Sequence, residues 1–130
     1  MAYIKYKELT KYFDFKKEID IDKLPDYTKE YVSDNETILL GYQTSRDHAI
    51  FTNKTMILFD RDVIKTYKKI HIIPYHSIST SAICFKPGKA EILLSLDSGY
   101  QMRINFVNMD HEKKEHLKKV YNIMMQHFRS

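Results

Sequence analysis

The sequence predicts a mainly β protein with helices (α+β): a seven-stranded antiparallel barrel or sandwich, capped by a C-terminal helix and preceded by short N-terminal helices. Three observations carry that reading. The stretch Arg46–Asp60 holds two apolar runs, His48–Phe51 and Met56–Phe59, joined by Thr52-Asn53-Lys54-Thr55. β-branched and aromatic residues favour strands, while Thr and Asn side chains bond their own backbone in tight reversals, so this is a β-hairpin. Further short apolar runs between Glu36 and Val107 are separated by turn signals, and from Asn108 onward the apolar spacing becomes helical.

The bulk numbers fit one domain. A chain of 130 residues buries roughly two-thirds of its unfolded surface and needs neither metal nor disulfide to fold. Cys84 is the only cysteine, so no internal disulfide forms, which fits a reducing compartment. Its neighbours Ala82-Ile83-Cys84-Phe85 are apolar, and the thiol is expected to be buried and inert rather than reactive. The first residues lack the apolar core of a signal peptide, and no run has the roughly 20 apolar residues of a membrane helix. A cytoplasmic location follows as the expectation. The net charge of +4 resides after residue 35 and is mild; it permits contact with anionic lipid or nucleic acid without demanding either.

Along the chain, Tyr6, Leu9 and Phe13 are spaced by 3 and 4, which predicts an amphipathic helix over residues 3–15. Ile19-Asp20-Ile21-Asp22 alternates and reads as extended. Asp22 then caps a second short helix, with Pro25 in its first turn and Leu24, Tyr27 and Tyr31 inward. Ser33-Asp34-Asn35 is a turn. Glu36–Thr44 is the first strand, and the hairpin supplies the second and third. Tyr67–Pro74 is the fourth, ended or placed at an edge by Pro74, which lacks an N–H; Tyr75 at the following corner is expected half-buried. Ser79–Phe85, Ala90–Leu96 and Tyr100–Val107 complete the seven, separated by Lys86-Pro87-Gly88-Lys89 and Asp97-Ser98-Gly99. In the last strand Met102, Ile104 and Phe106 alternate with Arg103 and Asn105, so one face is buried and the other wet. Asn108 or Asp110 caps the final helix, whose stripe runs through Leu117, Val120, Tyr121, Met124, Met125 and Phe128.

Seven antiparallel strands followed by a helix that covers an open end is the architecture of the pleckstrin-homology (PH) superfold. Two segments resemble the bacterial PH-like domain family in detail. One is Arg46-Asp47 before an apolar strand, then Phe51-Thr52-Asn53-Lys54 and Ile57-Leu58-Phe59-Asp60. The other is Ile73-Pro74-Tyr75-His76-Ser77-Ile78, similar to that family's Ile-Pro-Tyr-x-Ser-Ile segment. The resemblance covers residues 36–128 and implies a division into a helical extension, 1–35, packed on a PH-like domain, 36–130. The chain departs from the family's pattern at Arg61-Asp62-Val63-Ile64, where a Gly-containing turn is usual, and throughout residues 1–35.

Little in the sequence points to catalysis. His111 and His116 are five apart and do not stack on one helical face; no Cys pair or HExxH motif supports zinc. No Gly-rich phosphate loop or nucleophile elbow occurs, so neither enzyme activity, cofactor, metal nor small-molecule substrate is predicted. Arg46-Asp47 reads as a turn or charge pair at the hairpin mouth. Arg61, Lys65, Lys68 and Lys69 gather around Tyr67, as a solvated face or as a binding patch for anionic headgroups. Basic and aromatic residues do not interleave as they do on single-stranded nucleic-acid platforms.

The expected function is a non-enzymatic interaction module that self-associates, as the family resemblance implies, or binds another protein through an uncovered sheet edge. The alternatives are a peripheral binder of anionic membrane lipid and a small phage or mobile-element factor that inhibits a host protein. Tyr3, Tyr6, Tyr12 and Phe13 pack either on their own domain or on a neighbour.

Overall fold

The computed structural model describes residues 10–61 and 68–128. Its eight strands are β1 (Thr10–Ile19), β2 (Ile38–Thr44), β3 (His48–Thr52), β4 (Thr55–Arg61), β5 (Lys68–Pro74), β6 (Ile78–Lys86), β7 (Lys89–Leu96) and β8 (Gln101–Phe106), followed by helix α1 (His111–Gln126). They form one open sheet in the order β5-β4-β3-β2-β1-β8-β7-β6. The seven strands expected from the sequence are β2–β8, and the terminal helix is α1. The eighth, β1, replaces the helix expected over residues 3–15; residues 3–9 of that segment, with Tyr3 and Tyr6, lie outside the described residues.

A short apolar run fits either period, and here pairing decides. β1 lies antiparallel to β2 and parallel to β8, so it joins the two halves of the sheet. A bulge between Phe15 and Lys17 lets both Phe15 and Glu18 face inward while Ile19 faces out against Gly41. Phe15, Tyr42 and Phe106 form an aromatic box at this junction, with ring centroids 5.0–5.2 Å apart.

The inner face holds the main core and is covered at one end by α1, which buries Leu117, Val120, Tyr121 and Met124. Full burial of such side chains is worth roughly 1.5–3 kcal/mol each. Met125, expected on the same stripe, is instead 44% exposed. Asp110 caps the helix by accepting from the Lys113 N–H at 2.9 Å. That hydrogen bond holds the Asp110 carboxyl below its usual pKa. Asn108, with φ 57, turns the chain from β8 into the helix.

Residues 20–35 hold no α-helix; two 3-10 turns, Ile21–Lys23 and Asp26–Lys29, make a strap across the outer face of β2–β4. Leu24 packs there with Ile50, Ile57 and Phe59 in a second core. Leu24 also explains Gly41: a Cβ at that position would lie 2.7 Å from the Leu24 methyls. Tyr31, expected inward, is 45% exposed.

The hairpin at Asn53-Lys54 is made by a hydroxyl. Thr52 Oγ1 accepts from the N–H groups of Lys54 and Thr55 at 3.0 and 2.8 Å. Cys84 and Tyr75 both differ from expectation. Cys84 is exposed, because on edge strand β6 the residues Ala82 and Cys84 face outward and Ile83 takes the half-buried side. Tyr75 is fully buried: a 3-10 turn after Pro74 swings its ring inward, where the hydroxyl donates to the Thr52 carbonyl at 2.7 Å. Burial, and secondarily the Glu36 charge, raises its pKa. Among the described residues no helix is long and apolar enough to cross a membrane.

Candidate functional site

Three regions place chemically distinct side chains at the surface: the β4–β5 corner, the polar knots around the β2–β4 hairpins, and a cleft beside α1.

At the corner, Arg61 ends β4 opposite Lys68, the first residue of β5, and Asp60 pairs with Lys69. Arg61 and Lys69 are exposed. Lys65 and Tyr67 of the predicted basic patch lie outside the described residues. β5 is the last strand of the sheet, and its outer face carries Ile70 and Ile72. Ile70 packs against the second core, whereas Ile72 is 48% exposed. Ile72 sits on the edge of the sheet, where no described strand lies beyond β5.

The knots fasten turns and strap. Arg46 and Asp47 form both a turn and charge pairs: Thr44 Oγ1 accepts from both of their N–H groups, and Arg46 Nη1 bonds Asp60 Oδ1 at 3.0 Å. The His71 ring nitrogen Nε2 lies 3.7 Å from the other Asp60 oxygen. Asp47 accepts from the Tyr27 hydroxyl of the strap and pairs with His48 Nδ1 at 3.0 Å. Burial first, then the Asp47 hydrogen bond, raises the Tyr27 pKa. Glu36 binds four groups: its carboxylate accepts from the hydroxyls of Thr52 and Thr55 at 2.6 and 2.7 Å, and from the Ser33 hydroxyl and N–H at 2.8 and 3.0 Å. Burial alone would raise its pKa, but these donors outweigh it and hold the carboxyl at about 2. Each knot fastens a turn, and in one of them the Tyr27 hydroxyl also lies 3.1 Å from the His48 Nδ1 nitrogen that Asp47 binds. Among the described residues no three His, Cys, Asp or Glu side chains converge as metal ligands.

The cleft, of about 400 Å³, opens between the end of β1, the start of β2 and one side of α1. Ile19, Ile21, Leu39, Leu40, Val120 and Ile123 make its apolar wall. Glu18 and His116 meet at its rim at 3.0 Å, and Lys119 stands beside them. Nearby, the Tyr42 hydroxyl is buried without a hydrogen-bond partner among the described residues. Burial, and then the Glu18 charge, raises its pKa. Sequence reading missed the cleft, because its walls come from three segments distant in the chain.

The bacterial PH domain family profile matches residues 9–128, which includes β1. No curated protein matches. Three solved structures are similar. A DUF1696 family protein with a pleckstrin-homology domain from Shewanella loihica PV-4 is 24% identical with a TM-score of 0.61, over 85% of this chain and 94% of that one. A PH domain containing bacterial protein from Exiguobacterium sibiricum 255-15 is 19% identical with a TM-score of 0.62; 88% of this chain aligns, but only 61% of that one. A pleckstrin homology domain from Shewanella amazonensis SB2B is 26% identical with a TM-score of 0.56, over 83% and 90% of the two chains.

Proposed function

Because the chain belongs to the bacterial PH domain family, we propose that it is a non-enzymatic interaction module that binds protein, a second copy of itself included, along the β5 edge of its sheet. The observation that carries this is Ile72, a large aliphatic side chain 48% exposed on the outermost strand. An edge strand offers a row of backbone N–H and C=O groups to another chain, and an exposed aliphatic beside it supplies the anchor. Soluble proteins usually protect such an edge with charge, and here the protecting charges, Lys68 and Lys69, stand only at its start.

A second reading rests on the same corner. Arg61, Lys68 and Lys69, with Lys65 and Tyr67 between them in sequence, form a cationic end that would gain about 1 kcal/mol per residue near an anionic membrane. One set of samples separates the two. Light scattering at high micromolar concentration should give a mass above the monomer, and Ile72→Lys should return it to monomer. A monomeric wild type that also captures no partner dependent on Ile72 overturns the protein-binding reading. Sedimentation with anionic but not neutral liposomes, lost in Lys68→Glu/Lys69→Glu, would establish the membrane reading instead.

A further inference from the structure

The cleft beside α1 lies away from the β5 edge, and its chemistry is specific. Its wall is aliphatic, and Ile21 at the rim is 41% exposed although the cleft beside it is apolar. Its volume of about 400 Å³ falls within the roughly 300–1,000 Å³ of small-molecule sites. The rim charges are not equivalent. Glu18 is engaged by His116 at 3.0 Å, and His116 Nε2 lies 3.9 Å from Glu112. Asp20 stands 4.0 Å from Lys23. Lys119 forms no ion pair among the described residues, although Lys118 beside it pairs with Glu115 at 3.8 Å. Glu18 and Asp20 each have a partner within the chain, whereas the Lys119 ammonium at the edge of the aliphatic trough has no ion-pair partner among the described residues.

We propose that this cleft binds a free aliphatic monocarboxylate, the chain lying along Ile19, Leu39, Val120 and Ile123 and the carboxylate against Lys119. The two parts contribute differently. Each methylene drawn from water tightens binding by roughly fourfold while the cleft has room. A solvent-facing Lys–carboxylate pair adds less, on the order of a few-fold. Affinity therefore rises with chain length and depends modestly on the headgroup's sign.

Titration of the full chain with hexanoate, octanoate and decanoate, each below its micellar concentration, tests this by two-dimensional NMR. Saturable one-to-one binding is expected, tightening about fourfold per methylene, with shifts centred on Ile21, Leu39, Val120 and Ile123. Lys119→Glu, an exposed position that should leave the fold intact, is expected to weaken decanoate roughly tenfold and to favour decylammonium. Ile21→Ser should weaken both. No saturable binding below millimolar concentration overturns the proposal. So does equal binding of decanoate and decanol, an unaltered decanoate affinity in Lys119→Glu, or shifts confined to other surfaces. A response to phosphatidylglycerol vesicles without one to monomeric decanoate assigns the site to a membrane headgroup and likewise overturns it.

Discussion

Strands β3 and β4 carry apolar side chains on both faces: Ile50 and Ile57 outward are as inaccessible as Phe51 and Met56 inward. In the other half of the same sheet, β7 and β8 bury only the inner face. Ile92 and Ile104 are inaccessible there, while Leu93 is 37% exposed and its cross-strand neighbour Arg103 is wet. The difference is the strap. Residues 20–32 bring Leu24 and Tyr27 onto the outer face of β2–β4, and nothing described covers the outer face of β6–β8. A sheet closed on both faces has continuous apolar strands and one closed on one face has alternating strands, and this molecule contains both.

The strap is therefore where the largest effects should fall. Leu24→Ala removes a side chain that is 4% exposed and leaves a void over Gly41, at an expected cost of about 2–3 kcal/mol. Gly41→Ala attacks the same contact from the other side: its Cβ would meet Leu24 at 2.7 Å, for a cost of about 1–2 kcal/mol. The double variant should lose less than the sum by about 1 kcal/mol, because the shortened side chain makes room for the new methyl. Chemical denaturation of the four proteins measures the cycle, and additive effects would mean that Leu24 does not set the glycine. Leu93→Ala, in the bare half, should shift stability by no more than about 0.5 kcal/mol.

A smaller and pH-dependent effect belongs to Glu36, which ties the strap's exit to the β3–β4 hairpin. Its pKa falls from an ordinary 4.5 to about 2 in the folded protein. A depressed carboxyl stabilises the fold fully above pH 4.5, and that contribution is lost as pH falls from 4.5 toward 2. Allowing for solvent screening, the contribution is on the order of 1–2 kcal/mol. Glu36→Gln should lose that much at neutral pH, and its deficit relative to wild type should narrow as pH falls below 4.5 and close only near pH 2. A deficit constant across the window would assign the loss to packing instead of charge.

What could be read in advance divides along the same line. The strands β2–β8 and helix α1 were legible because turn residues such as Pro87-Gly88 and Asp97-Ser98-Gly99 bound them and their periods are clean. β1 was not, because Tyr6, Leu9 and Phe13 happen to be spaced by 3 and 4, whereas Phe13-Asp14-Phe15 also fits a strand. What decides it is pairing with β8, some ninety residues on, which leaves no local mark. The strap did leave one. His48–Thr52 and Thr55–Asp60 are too continuously apolar for a one-sided hairpin, and a glycine in mid-strand at position 41 signals close approach. Of the candidate surfaces, the run of cations from Arg61 to Lys69 could be read from the sequence alone, as neighbours along the chain. The exposure of Ile72 depends on strand order, and the cleft on three segments meeting, and neither is written locally.

The smallest effect marks the barest part of the molecule. An apolar run around Cys84 suggested a buried thiol, but on an edge strand whose outer face no described residues cover, the alternation of Ala82, Ile83 and Cys84 sends the thiol outward, across from Glu91. Removing it should therefore leave almost no trace in stability: Cys84→Ser is expected to lie within about 0.5 kcal/mol of wild type. The native protein should react with one equivalent of an aromatic disulfide reagent without denaturant, at a rate that denaturant raises only modestly. If modification instead required unfolding, the outer face of β6 and β7 would have to be covered in solution, and the contrast between the two halves of the sheet would be lost.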